Sequence, residues 1–305
     1  MSHTWRTYAD WAKTRPMTLR LAGWLGRGRG RFRWFDELHR PPRPLNRPDV
    51  RRWRDHRLAA AWLGHATILL RMAGLTILTD PVMSSCVGVG LGLITAGPRR
   101  RIAPALSLQQ LPEIDLILIS HAHFDHLDRP TLARLPRQIP IITADQTADL
   151  IEDLGFRSVR ELKWGESLQH GGLRITAQQV RHWGARTFYD HQRGYNAYLL
   201  EGDGRRVLYG GDSAYQEHFK SIGKVDLAIL GIGAYDPWIQ GHANPEQAWE
   251  MAQHVDAEYV LPMHHSTFKL SHEPMDEPIR RLEQIAGEEA PRIIIREVGE
   301  TWIEH

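Results

Sequence analysis

The chain has 305 residues, 42% of them apolar and 24% charged, which excludes a disordered or fibrous protein. No apolar run approaches the ~20 residues needed to span a bilayer. Cys86 is the only cysteine, which rules out an internal disulfide and a cysteine-rich metal site and fits a reducing compartment.

The formal net charge of +2 conceals two parts of opposite sign. Residues 1–57 hold 15 Arg or Lys against 5 Asp or Glu, while residues 58–305 hold 23 against 31. The first part also carries five of the eleven tryptophans and runs into Pro41-Pro42-Arg43-Pro44. It reads as a basic arm of short helices with a proline-rich connection. Leu21-Ala22-Gly23-Trp24-Leu25 is too short for the apolar core of a secretory signal, so a cytoplasmic location is expected. Arg and Trp together suit an anionic interface, so peripheral membrane contact through this arm is one expectation. The plain alternative is an arm that wraps the main domain with its arginines solvated. Nucleic acid is less favoured, because no recognition motif accompanies the charge.

From residue 58 onward the pattern is regular. Ala59–Leu63, Thr67–Met72 and Leu75–Thr79 read as consecutive strands separated by Gly64 and by Ala73-Gly74. Asp115–Ser120 is almost wholly apolar and predicts a strand buried on both faces. Ile139–Thr143 is another strand. A helix is expected from Asp145 to Gly155. Leu173–Val180, Ala197–Glu201 and Arg206–Tyr209 follow as strands, the last two joined by a Gly202-Asp203-Gly204 turn. Val225–Leu230 and Tyr259–Met263 are further buried strands. Between them, Asn244-Pro245-Glu246-Gln247 opens a helix that runs to about His254. A helix at Glu277–Gln284 and a strand at Arg292–Glu297 close the chain. Two successive sets of strands with helices between them argue for two sheets covered by helices.

The most informative segment is His121-Ala122-His123-Phe124-Asp125-His126, directly after the buried strand. Three imidazoles and a carboxylate in six residues are hard to explain as packing. They are donors that Zn²⁺, Mn²⁺ or Fe²⁺ accept. His182, Asp212 and His264 each follow a predicted strand, and Gly210-Gly211 before Asp212 lets backbone approach closely.

This pattern resembles the metallo-β-lactamase superfamily over residues 58–300. The resemblance implies an α/β fold, a four-layer αββα sandwich, with residues 58–305 as the hydrolase domain behind the 1–57 arm. It implies one metal held by His121, His123 and His182. A second would be held by Asp125, His126 and His264, with Asp212 bridging. Asp212 stands where several true β-lactamase classes have cysteine, which disfavours β-lactam hydrolysis. The segments Trp62-Leu63-Gly64-His65-Ala66-Thr67, Leu78-Thr79-Asp80-Pro81, Gly97-Pro98-Arg99-Arg100, Gly231-Ile232-Gly233-Ala234-Tyr235 and Met263-His264-His265-Ser266-Thr267-Phe268 are similar to N-acylphosphatidylethanolamine-hydrolysing phospholipase D and its bacterial relatives. That branch often has Trp-Gly where this chain has His265-Ser266. By the same resemblance, Asp80 orients a ligating imidazole and His242 contacts substrate or donates a proton. His65, His265 and Tyr235 are candidates for supporting or substrate contacts.

The implied enzyme is a dinuclear hydrolase with two divalent cations, zinc ahead of manganese or iron. Such a pair activates a water that attacks phosphorus or a carbonyl, and Asp125, Asp212 and His242 are the residues expected closest to the chemistry. The leading substrate class is an N-acyl phospholipid or related phosphodiester. The alternatives are a lactonase or phosphoester hydrolase for a small metabolite, a nuclease, and a non-catalytic scaffold.

Overall fold

The computed structural model describes residues 41–53, 55–91, 94–187 and 189–304. Residues 1–40, and with them most of the expected arm, lie outside that range.

Strands β1 (Leu58–Gly64), β2 (Thr67–Met72) and β3 (Leu75–Thr79) form an antiparallel meander. The β2–β3 turn places Ala73 and Gly74 at φ of 49° and 76°, the paired left-handed residues of a tight hairpin. A separate ribbon pairs β4 (Val89–Leu91) with β5 (Ile94–Ala96). The main sheet then continues in parallel through β6 (Leu116–Ile119), the short helix α1 (Arg129–Leu132), β7 (Ile141–Ala144) and β8 (Val159–Leu162). The second sheet repeats this scheme. β9 (Ser167–His170), β10 (Leu173–Gln178), β11 (Ala197–Gly202) and β12 (Arg205–Tyr209) form a meander. Asp203 and Gly204, at φ of 50° and 73°, make the β11–β12 turn. β13 (Leu227–Gly231) and β14 (Tyr259–Met263) extend the sheet in parallel, with α2 (Pro245–His254) between them. After α3 (Glu277–Ala286) the chain returns to the first sheet as β15 (Thr301–Ile303), beside β1. The result is a seven-stranded and a six-stranded sheet.

The inner faces supply one shared core, in which Ile117, Leu69 and Ile77 of the first sheet meet Leu200, Val207 and Ile229 of the second. β6 is buried along its whole length because the parallel sheet is covered on both faces. Outside the second sheet, Trp249, Met251 and Leu282 of α2 and α3 pack on Leu208, Ala228 and Leu230. Helix α2 starts where the sequence signals it: Asn244 Oδ1 accepts the Gln247 N–H at 2.9 Å, and Gln247 Oε1 accepts the Asn244 N–H at 3.2 Å. The four-layer sandwich is thus present, with a thinner helical cover on the first sheet among the described residues.

Two expected elements take another form. The Asp145–Gly155 helix is two single 3-10 turns, Ala148–Leu150 and Glu152–Leu154. Gln146 is left-handed at φ 55°, and Glu161 of β8 accepts the Thr147 and Ala148 N–H groups, so the ladder never starts. Arg292–Glu297 is not a strand. It makes a single bridge, Ile293 to Val260, and the Glu300 carboxylate then captures the N–H groups of Arg296 and Glu297. The last strand is β15 instead. Of the basic segment, Trp53 is buried in the core, Pro42 accepts the Ala103 N–H, and Arg43, Arg47, Arg51 and Arg52 are exposed.

Candidate metal centre

The carboxyl-end loops of β3, β6, β10, β12 and β14 meet at one edge of the sandwich. Parallel strands bring loops together there, which is why open α/β sheets bind ligands beyond their carboxyl ends. The His121–His126 loop closes on itself, with His123 O accepting the N–H groups of His126 and Leu127. Arg186 clamps it from outside: its guanidinium donates to Ala122 O and Leu127 O and lies 3.9 Å from the centre of the Phe124 ring. Gly211, at φ 55°, lets the Asp212 segment dock, because a Cβ there would lie 2.7 Å from Asn196 O and 2.9 Å from Ser120 Cβ.

His121, His123 and His182 form one set. His123 Nδ1 lies 2.9 Å from His121 Nε2 and 3.2 Å from His182 Nε2. Tetrahedral Zn–N bonds of 2.0–2.1 Å separate ligand nitrogens by about 3.3 Å, so this triangle has the span of one cation. Asp125, His126 and His264 form the second set, with Asp125 Oδ2 at 3.7 Å from His126 Nε2 and 3.3 Å from His264 Nε2. Asp212 Oδ2 stands between the sets. It is 3.1 Å from His126 Nε2 and from His264 Nε2, 3.9 Å from His121 Nε2 and 3.8 Å from His182 Nε2. Both Asp212 oxygens, His126 Nε2 and His264 Nε2 are buried and make no hydrogen bond, although Asp212 Oδ2 lies within ion-pair reach of both imidazoles. Leaving such groups unmet costs about 1–3 kcal/mol each, and a bound cation removes the deficit. The donors present therefore fit metal ions.

The two sets differ electrically. Burial, then the neighbouring imidazoles, pushes His121 well below the ordinary imidazole range. Burial and His182 push His123 down to about 3, and burial takes His182 to about 4 despite Asp212. At the second set, burial also opposes charge, but carboxylates overcome it. Asp212, Asp125 and Asp80 hold His126 well above its usual range, and Asp212 with Asp125 raises His264 to about 9. Reciprocally, burial raises the Asp125 and Asp212 carboxyls, but His126 and the other imidazoles outweigh it and hold both well below the carboxylate range.

Asp80, fully buried and at φ 32°, supports ligands of both sets. Its Oδ2 accepts from His126 Nδ1 and from Ser120 Oγ, both at 2.6 Å, while its Oδ1 accepts the Ser120 N–H at 2.7 Å. Ser120 Oγ in turn lies 2.9 Å from His121 Nδ1. Tyr209, from the opposite sheet, donates to the same Asp80 oxygen at 2.6 Å. His65 Nε2 is 2.9 Å from Asp125 Oδ2. The Gly64-His65-Ala66 turn is latched to the loop after β14: His65 N–H donates to Thr267 Oγ1, and His264 N–H donates to His65 O.

His242 also enters the cluster, with Nδ1 3.7 Å from Asp212 Oδ2 and its ring 5.0 Å from that of His182. His265 lies behind His264, its Nδ1 2.9 Å from Ser266 Oγ and its ring 4.5 Å from Trp62. Tyr235 is not brought to the ligands. Its hydroxyl donates to Glu277 of α3 at 2.8 Å and accepts from Arg281, because the chain after Ala234 turns toward that helix. Sequence reading missed Ser120, Tyr209, Arg186 and Trp183. The Trp183 ring sits 4.3 Å from His182 and 4.9 Å from His123, and a Cβ on Gly241 would overlap it. Nothing in the local pattern marks it.

Residues 76–265 match the family model described as a beta-lactamase superfamily domain. The chain is 33% identical over 255 residues to the uncharacterized protein Rv0906 of Mycobacterium tuberculosis, covering 79% of this chain and 67% of that one. It is 31% identical over 271 residues to N-acyl-phosphatidylethanolamine-hydrolyzing phospholipase D 1 of Caenorhabditis elegans, covering 80% and 75%. Among solved structures, a possible metal-dependent hydrolase from Veillonella parvula superposes with a TM-score of 0.66 at 18% identity, covering 82% of this chain and 100% of that one. With the two-sheet sandwich and the His/Asp cluster at its edge, these likenesses show that the chain belongs to the metallo-β-lactamase superfamily of metal-dependent hydrolases.

Proposed function

We propose that the protein is a two-metal phosphodiesterase of the phospholipase D type, with zinc as the preferred cation. The observation that carries this reading is the placing of Asp212 Oδ2 between two complete ligand sets. The likeness to the C. elegans enzyme supplies the substrate class, an N-acyl phospholipid or a related diester. Two bound cations would activate a water and polarise a phosphoryl oxygen. The chain's own part is positional. Asp212 would hold both cations, Asp125 and His126 one of them, and Asp80 and Ser120 would fix the imidazole planes. Burial, with His182 and His264, holds His242 well below the ordinary imidazole range despite Asp212. His242 therefore acts as a neutral hydrogen-bond donor to substrate rather than as an imidazolium acid.

The test is hydrolysis of N-acyl phosphatidylethanolamine by the zinc-loaded protein, with phosphatidic acid and N-acylethanolamine as the expected products. Turnover of a lactone without turnover of any diester would replace this reading with the small-metabolite one.

The basic segment is the proposed means of reaching such a substrate. Arg43, Arg47, Arg51 and Arg52 are exposed, and Leu45 is 95% exposed beside them. Basic side chains contribute about 1 kcal/mol each near an anionic membrane. The proposed contact is peripheral, and no helix among the described residues is long and apolar enough to cross a membrane. Co-sedimentation with phosphatidylserine vesicles should weaken when the exposed Arg43, Arg47, Arg51 and Arg52 are replaced by glutamine, which leaves the buried Trp53 in place, and unchanged binding would discard this role.

A further inference from the structure

The Gly97-Pro98-Arg99-Arg100 segment supplies no metal donor, yet it places a cation in the interior. Arg100 is fully buried. Burying a guanidinium is costly unless dipoles or counter-charges meet it. Burial lowers Arg100 to about 10 against the field of the Asp128 carboxylate, so the charge is kept at neutral pH.

The contacts of Arg100 run to chain at the ends of β3, β14 and β1. Its Nε donates to Ser84 O at 3.0 Å and its Nη2 to Val82 O at 2.6 Å, so the guanidinium fork grips the segment that follows Asp80. The same guanidinium lies 4.7 Å from the centre of the Phe268 ring, four residues beyond His264. The Arg100 backbone bridges to Phe268, and Arg101 N–H donates to Thr267 O at 2.8 Å. Gly64, at φ 116°, lets the turn that carries His65 close over the guanidinium, since a Cβ there would lie 3.1 Å from Nη1. The Phe268 ring meets that of His65 edge-on at 5.2 Å. Asp80, His65 and His264 thus stand on three loops that share one buried cation. All three serve the carboxylate-rich set: Asp80 holds His126, His65 faces Asp125, and His264 is itself a member. The imidazole triangle is braced elsewhere, by Arg186 on Ala122 O and by Gly241 O, which accepts from His182 Nδ1 at 2.8 Å.

We infer that Arg100 is a positioning residue for the second ligand set. It fixes the spacing of the loops that carry Asp80, His65 and His264, and through them the affinity of that set for its cation. The inference rests on the two-metal reading and deepens it. Arginine suits the place because one planar fork reaches two carbonyls while its face rests on an aromatic ring. A lysine head is a point charge and cannot do both.

The experiment measures zinc binding to the full chain by chelator competition at pH 7, and amide hydrogen exchange in the metal-free chain. Arg100→Lys should hold the weaker equivalent about tenfold less tightly, the lower range for groups that orient ligands, and leave the tighter one nearly unchanged. Without metal, the His65 and His264 N–H groups, which donate to Thr267 Oγ1 and His65 O, should exchange faster in this variant. The Ile117 N–H, bound to Pro140 O, should keep its rate. Phe268→Leu leaves the fork in place and should weaken the same equivalent about threefold, the worth of a modest cation–π contact. It carries the test if Arg100→Lys fails to fold. Equal weakening of both equivalents, or no weakening, would overturn the inference. A single equivalent in the unaltered chain would overturn the two-metal reading instead. Exchange at His65 and His264 would then decide on Arg100 alone, faster exchange sustaining its bracing role and unchanged exchange ending it.

Discussion

The two halves of the metal centre are built from opposite materials. His121, His123 and His182 form an all-imidazole triangle whose members are held neutral by burial and by each other. His126 and His264 sit 3.1–3.7 Å from the Asp125 and Asp212 carboxylates and are held protonated by them when no cation is present. The first half is therefore ready for a cation near neutral pH. The second is closed by its own internal ion pairs, and a cation must displace protons to enter. If each set takes a cation, as proposed, the two would differ in how they fill although both use histidine.

Asp212 is the residue the halves share, so its loss should erase the comparison. Asp212→Ala is expected to lower both metal content and turnover, well beyond the roughly 100-fold upper range for supporting residues. Metal analysis together with steady-state turnover reads both effects. His123→Ala should act on the triangle alone, removing about one equivalent of metal and the activity. The sandwich should survive, since its core lies between the sheets. A His123→Ala protein with full metal content and full turnover would sink the assignment.

Asp80→Asn should act mainly on the carboxylate-rich half, because His126 Nδ1 binds Asp80 directly while His121 reaches it only through Ser120. The expected cost is about 10–100-fold in affinity for the more weakly held equivalent. Equal weakening of both equivalents would show that the Ser120 relay matters as much as the direct bond. Tyr209→Phe removes one of three donors to the same oxygen and should cost less, about tenfold or under.

What could be read in the chain, and what could not, follows the range of the interactions. The hexapeptide stands out because six adjacent residues carry four metal donors directly after an apolar strand. His182, Asp212 and His264 could be named because each follows a strand, and the structure gathers all of them at one edge. The latch between His65 and Thr267 joins residues 202 positions apart, and the Tyr209–Asp80 bond spans 129. No periodicity reports such pairs. Trp183 was overlooked for a similar reason, since beyond its chain neighbour His182 it packs on His123 and Gly241. The failed Asp145–Gly155 helix is a nearer miss. Its stop at Gly155 is real, at φ 76°, but a side chain from β8 had already taken the N–H groups on which a helix would build.

The pH dependence of metal uptake is the finest test of the difference between the halves. His264, raised to about 9, is protonated in the metal-free protein at pH 7 and must lose that proton to bind. His126, held above its usual range as well, must also give up a proton, so affinity for the equivalent held there should rise more than tenfold per pH unit from pH 7 toward 9, with the protons released to the buffer. His123 and His182, lowered to about 3 and 4, are already neutral across that window, so the other equivalent should show little slope. Stability of the metal-free protein carries the same signs. The contribution of His264 is complete below the unfolded value near 6.5 and is lost as pH climbs through 9. The contributions of His123 and His182 run the other way. The unfolded chain takes protons that the folded triangle refuses, so stability is lost as pH falls from 6.5 toward 4 and 3. Chelator competition at pH 6.5 to 9, with melting of the metal-free chain from pH 4 to 9, measures both. Two equivalents with one common slope would mean that the carboxylates do not set the halves apart.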